Sequence, residues 1–228
     1  MTTAELANIR DTETLKAEQN KTLETPRRNY GLLAKGLFMF MDFFYGEERN
    51  FSKFKVLEVI ARVPYQAWEH VGYIAMTHTY PMPKFARRVF EFVQESRAQQ
   101  DNEQWHLFIL EELIQKRGIK ENVFMFLILP QVMAFIYYHI SWLLYVIKPG
   151  WSYALNADFE DHAEHEYMHF AKDNSGYDSE VFESEFKNDY GNLATIADLL
   201  RRIGIDERMH KEESIYRMQN PRFSVSNA

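Results

Sequence analysis

Along most of this chain apolar residues recur every three to four positions, and almost nowhere do they alternate with polar ones. The pattern predicts helices and no sheet. Helix breakers are scarce, with nine glycines and seven prolines in 228 residues. Six long segments result. The first, Gly31–Tyr45 (GLLAKGLFMFMDFFY), is almost wholly apolar. The second covers about 52–77, with Ser52 as its N-cap and a bend expected at Pro64. A charged helix over about 84–117 closes at Gly118. Val123–Ile147 follows, then a fifth helix over about 151–172, a polar loop (DNSGYDSE), and a sixth over about 193–217.

Val123–Ile147 has no Asp, Glu, Lys or Arg in its 25 residues. As a helix it would be roughly 37 Å long, enough to cross a bilayer. Three readings compete: a transmembrane span, a fully buried core helix, and a helix lying in one leaflet beside Gly31–Tyr45. Gln131, His139, Ser141 and the tyrosines among its apolar residues favour the interfacial reading.

The length suits one domain, expected over 31–217, with a polar lead-in at 1–30 read as frayed and a tail at 218–228. The N-terminus has no apolar run of the kind a secretory leader needs. A net charge of −7 argues against nucleic-acid binding. Without cysteine, any metal must be held by Glu, Asp and His, a set that suits iron or manganese.

Glu-x-x-His places a carboxylate and an imidazole on one helix face, and it occurs at Glu103/His106, Glu166/His169 and Glu207/His210. Random placement of 23 Glu and 8 His would give roughly one such pair, so the motif alone is weak. Its order is more telling. A lone Glu58 precedes Glu103 by 45 residues, and a lone Glu160 precedes Glu207 by 47. Glu, then Glu-x-x-His, repeated once, is the ligand order of carboxylate-bridged di-iron sites in ferritin-like bundles. Plainer readings stand beside this one. The pairs could be surface i,i+3 contacts, Glu58 could pair with Arg62, Glu160 competes with Asp161, Glu164 and Glu166, and Tyr167 could be a packed core residue.

Four stretches, LEVIARVPY (57–65), NEQWHLFILEEL (102–113), FEDHAEHEY (159–167) and IDERMH (205–210), resemble the alternative oxidases, above all their plastid terminal oxidase branch. The resemblance implies a ferritin-like four-helix di-iron bundle with two further apolar, membrane-facing helices, six long helices in all. It implies a non-haem di-iron enzyme that oxidises quinol, either ubiquinol or plastoquinol, and reduces O₂ to water without proton pumping. It also implies a homodimer held monotopically on one leaflet, on the cytoplasmic face of a prokaryotic inner or thylakoid membrane.

Carried over by position, Glu58, Glu103, His106, Glu160, Glu207 and His210 become the iron ligands. Asn102 and Asp206 become their hydrogen-bond partners, and Tyr167 the redox tyrosine. Lys53, Leu57, Ala61 and Ala163 become candidates for the quinol pocket, while His162, His165 and His169 are read as a polar flank. The chain departs from the family's pattern at Lys53 and Glu166, and Gly204 stands near the place of an expected arginine. Two other functions keep the metals: a di-iron oxygenase acting on a quinone precursor or lipid, and a ferritin-like iron-binding protein.

Overall fold

The computed structural model describes residues 3–220, and among these the regular elements are all helices, with no strand beyond an isolated bridge between Val181 and Thr195. The helices are α1 (Thr3–Ala7), α2 (Thr12–Glu24), α3 (Leu32–Tyr45), α4 (Phe51–Ala61), α5 (Val63–Thr79), α6 (Pro83–Lys116), α7 (Leu129–Ile147), α8 (Pro149–Asp173), α9 (Lys187–Tyr190) and α10 (Ile196–Gln219). Residues 221–228 of the expected tail lie outside the described residues, and 218–219 belong to α10.

Local chemistry sets the boundaries. The side chain of Asn50, not the expected Ser52, caps α4 by accepting from the Lys53 amide at 2.9 Å. The segment expected over 52–77 is two helices in succession, interrupted at Arg62. Pro64 lacks the amide hydrogen that would continue the ladder to Ile60. At Gly118, φ of 61° lets the chain turn back, and the Ile119 amide reaches the Ile114 carbonyl at 3.1 Å. Pro130 has a similar effect. With no donor for Phe126, the chain enters α7 through a widened π turn over Phe124–Ile128, in which the Leu129 amide bonds Phe124.

α8 packs along α10, and α6 packs along α4 and α5. Between α8 and α10 the backbones approach closely at Gly204, where an added Cβ would lie 2.9 Å from Met168. This explains a glycine near the place where the family pattern suggested arginine.

One expectation changes. The lead-in at 1–30 is not frayed over 12–24. There α2 docks on α8 and α10, burying Leu15, Glu18, Gln19 and Thr22. Its contacts are mostly polar: Gln19 to the Met168 carbonyl at 2.7 Å, Thr22 to Glu164 at 2.6 Å and Thr12 to Asp198 at 2.7 Å. Of the three readings of 123–147, the fully buried core helix, which the sequence did not favour, is set aside. The apolar stretch Phe124–Ile147 is long enough to cross a membrane, yet only 22% of its most apolar window is buried. Phe135 is 67% exposed there, and on neighbouring α3 Phe43 is 82% and Met39 73% exposed.

Candidate metal centre

Glu58 comes from α4, Glu103 and His106 from α6, Glu160 from α8, and Glu207 and His210 from α10. All six are buried. Their ligand atoms form two groups, Glu58/Glu103/His106/Glu207 and Glu103/Glu160/Glu207/His210, each within 4.8 Å. Arg62, the plainer partner for Glu58, instead donates to Gln104 at 2.5 Å.

Both oxygens of Glu103 and of Glu207, Oε2 of Glu58 and of Glu160, and Nδ1 of both histidines are buried without a hydrogen-bond partner. Leaving such atoms unsatisfied costs about 1–3 kcal/mol apiece. They converge on two points, and hard or borderline cations such as iron suit this donor set. The residues therefore fit a two-metal site. Glu103 and Glu207 belong to both groups with both oxygens free, so they could bridge. Glu58 and Glu160 each have one oxygen to offer, and each group has one imidazole.

The opposite oxygen of each lone glutamate is held by a tyrosine. Tyr167, stacked on Phe54 at 4.2 Å, donates to Glu58 Oε1. Tyr65 donates to Glu160 Oε1 at 2.6 Å. The arrangement crosses over: each tyrosine lies seven residues after one lone glutamate and binds the other.

His106 faces the site through Nδ1, while its Nε2 meets Asp206 Oδ2 at 3.3 Å. Asp206 accepts from Tyr190 at 2.6 Å and pairs with both Nε and Nη2 of the buried Arg202. Burial opposes ionisation of Asp206, but Arg202 and His106 hold it well below the usual carboxylate range. An imidazole anchored in this way presents its other nitrogen in a fixed direction. Asn102 does not do the same for His210. Its Oδ1 is buried and unpartnered, although both residues line one cavity of about 440 Å³.

Four carboxylates in a dry site repel one another. Burial, partly offset by His106, raises Glu58 to about 8. Burial and the nearby Glu103 raise Glu160 to about 7, and burial with its carboxylate neighbours lifts Glu207 well above its ordinary value. Glu103 alone is lowered, because His210 and His106 outweigh the cost of its burial. These shifts favour the protonated form at Glu58, Glu160 and Glu207 and the ionised form at Glu103.

A sequence model of the family "Alternative oxidase" matches residues 8–219, nearly the whole described chain. The chain belongs to the alternative oxidase family. Among curated proteins it is similar to ubiquinol oxidase 4, chloroplastic/chromoplastic, of Arabidopsis thaliana, at 32% identity over 140 residues. That match takes in 61% of this chain and 36% of the relative, so the chain spans about a third of the length of the curated relative it matches.

Where the chain departs from the alternative oxidase pattern, the structure shows local compensation. Lys53 is tied to Asp42 at 2.7 Å and the Gly46 carbonyl at 2.6 Å, joining α3 to α4. Glu166 accepts from Arg27 at 2.6 Å and from Arg49 at 2.9 Å. A further cluster, Asp161/Glu164/His165, is already engaged. Lys211 and Arg208 pair with its carboxylates, and the His165 nitrogens meet the carbonyls of Asp161 and Thr25. His162 stacks on Phe38 at 4.0 Å, away from the metal groups. Leu57, Ala61 and Ala163 are buried, and neither they nor Lys53 line the apolar cavity between α3 and α7.

Sequence reasoning missed Tyr65, Arg202, Tyr190 and Asn156. Two carried a signal: Tyr65 repeats the seven-residue spacing of Glu160 and Tyr167, and Arg202 stands four residues before Asp206.

Proposed function

We propose that this chain is a membrane-associated di-iron quinol oxidase that reduces O₂ to water. The observation that carries the reading is the set of buried, unpartnered donor atoms from four helices, arranged as two groups that share two glutamates. A di-iron pair there would supply the site at which O₂ is bound and reduced. Its ligands are Glu58, Glu103, His106, Glu160, Glu207 and His210, with Asp206 orienting His106 and Asn102 beside His210. The architecture is then a ferritin-like bundle built from α4–α5, α6, α8 and α10, with α3 and α7 facing the membrane.

Dioxygen needs four electrons and four protons, and a hydroquinone gives two of each, so two quinols are consumed for two waters. Tyr167 holds its phenolic proton against Glu58 Oε1 and can release it together with an electron. Burial and the adjoining carboxylates raise its pKa well above the ordinary value, so the hydroxyl stays protonated until then.

An apolar cavity of about 230 Å³, lined by Leu33, Leu37, Phe40, Met133, Tyr137 and Leu155 among others, lies between the two exposed apolar helices. It is a route by which a quinol could leave the bilayer. The Tyr137 hydroxyl is buried without a partner, and burial and then Glu160 raise its pKa, so it is available to hydrogen-bond a quinol oxygen. The name of the Arabidopsis relative, a ubiquinol oxidase, supports ubiquinol as substrate, and plastoquinol is the second candidate. Attachment to one leaflet, facing the cytoplasm, and a homodimer belong to the same proposal.

The test is oxygen uptake by the iron-loaded protein with ubiquinol and with plastoquinol. Two quinols consumed per O₂, with no peroxide and no hydroxylated product, supports the oxidase. A hydroxylated quinone precursor or lipid would identify an oxygenase, and ferric mineral without quinol turnover would identify a ferritin-like protein.

A further inference from the structure

The two tyrosines of the site are not equivalent. The Tyr65 oxygen donates to Glu160 Oε1 at 2.6 Å and also accepts from Asn156 Nδ2 at 3.0 Å. Asn156 in turn bonds Ser214 on α10 at 3.0 Å, which prevents it from swinging away. Because Nδ2 of Asn156, the atom facing Tyr65, can only donate, the phenolic proton of Tyr65 points at Glu160. The ring is wedged edge-on against Trp68 at 5.2 Å and His210 at 5.5 Å. Tyr167, by contrast, has Glu58 as its only hydrogen-bond partner among the described residues, and no group donates to its oxygen.

We propose that Tyr65 is the positioning residue of the second metal subsite, leaving Tyr167 as the reactive tyrosine. Occupied by Tyr65, Oε1 of Glu160 is withheld from the metal and Oε2 alone is presented, so Glu160 binds one ion through one oxygen. The chain Ser214–Asn156–Tyr65–Glu160 links α10, α8 and α5, and it fixes both protein ligands that belong to this subsite alone. Glu160 is held by the hydrogen bond and His210 by the ring. The proposal rests on the two-metal reading, and its test separates the two.

The full chain is stripped of metal and titrated with ferrous ion without oxygen, then loaded with ⁵⁷Fe for Mössbauer spectra. Two ions bound by the wild type confirm the site, and none would overturn the two-metal reading itself. In Tyr65→Phe the first ion should bind as in the wild type, which also shows that the variant is folded. The second should weaken about 10–100-fold, the usual consequence of losing a ligand's hydrogen-bond partner. At saturating iron only one of the two ferrous signals should shift its quadrupole splitting, a change that mere loss of packing would not produce. Asn156→Ala keeps the phenol but frees its proton to turn, and should weaken the same ion by less. Wild-type affinity for both ions and unshifted spectra in Tyr65→Phe would overturn the assignment, as would equal weakening of both ions.

Discussion

His210 Nδ1 and Glu103 Oε1, from two different helices, lie 2.6 Å apart, yet neither has a hydrogen-bond partner. While the imidazole is protonated the two form an ion pair, and both atoms also belong to the group of donors that could hold one metal ion. We expect two irons per chain. Glu103→Ala and Glu207→Ala should each lose both ions, because each removes a ligand that the two subsites share. Metal analysis checks this, and full occupancy in either variant would remove that glutamate from the site.

The raised carboxylates set a pH dependence. Glu58, at about 8, and Glu160, at about 7, have folded-state values above their ordinary 4.5. Between those values the metal-free fold binds more protons than the unfolded chain, so its stability falls as pH rises through the window. Iron binding expels those protons, so affinity should rise over the same range. Melting temperature against pH, with and without ferrous ion, checks both slopes. A metal-free protein that gains stability from about pH 5 to about pH 8 would contradict the sign.

Tyr167→Phe should keep both irons while quinol-dependent oxygen uptake falls more than about tenfold, since phenylalanine has no proton to release with an electron. A purely structural hydroxyl would instead cost about 1 kcal/mol of stability and leave turnover intact. Iron content, melting temperature and oxygen uptake on one preparation tell these apart.

Arg202→Leu should destabilise the fold by about 3–5 kcal/mol, because it strands Asp206 as a buried charge. Denaturant unfolding measures this. Arg202→Leu with Asp206→Asn should recover part of the loss, and a double variant worse than the single would refute the pairing.

Attachment to lipid vesicles should survive high salt and yield to detergent, because apolar burial and not charge drives it. Phe43→Asp together with Phe135→Asp should weaken it at least tenfold in a flotation assay, as each carboxylate would have to leave water. Release of the wild type by salt alone would show that these faces do not meet lipid.

The buried Glu/His cluster was legible because its signal is one-dimensional. Glu58 precedes Glu103 by 45 residues and Glu160 precedes Glu207 by 47, and Glu-x-x-His is a short-range pattern on a helix face. α2 was not legible for the opposite reason. It docks through Gln19, Thr22, Glu18 and Thr12, whose partners lie on α8 and α10 about 140 to 190 residues away, and a polar segment that buries itself by hydrogen bonding looks like a solvated one. Tyr65 shared that fate in part. Its spacing was visible, but its partner Glu160 is 95 residues distant and on another helix. The interruption of the second helix followed directly from Pro64. Its cap at Asn50 did not, because Ser52 is an equally good capping residue by type and only the geometry chooses between them.

The order of the ligands has a topological consequence. The candidate ligand groups at 58, 103, 160 and 207 are about 45 to 57 residues apart, so two ions held among them would fasten together segments distant in sequence. Each ion closes several large loops at once, as a set of covalent cross-links would in a protein that has no cysteine to make them. Closing a loop costs an amount that grows only slowly with its length, so a few ligands can secure most of the chain. In this fold the redox centre would also be the staple, and a chelator would loosen the entire bundle as it silenced the chemistry.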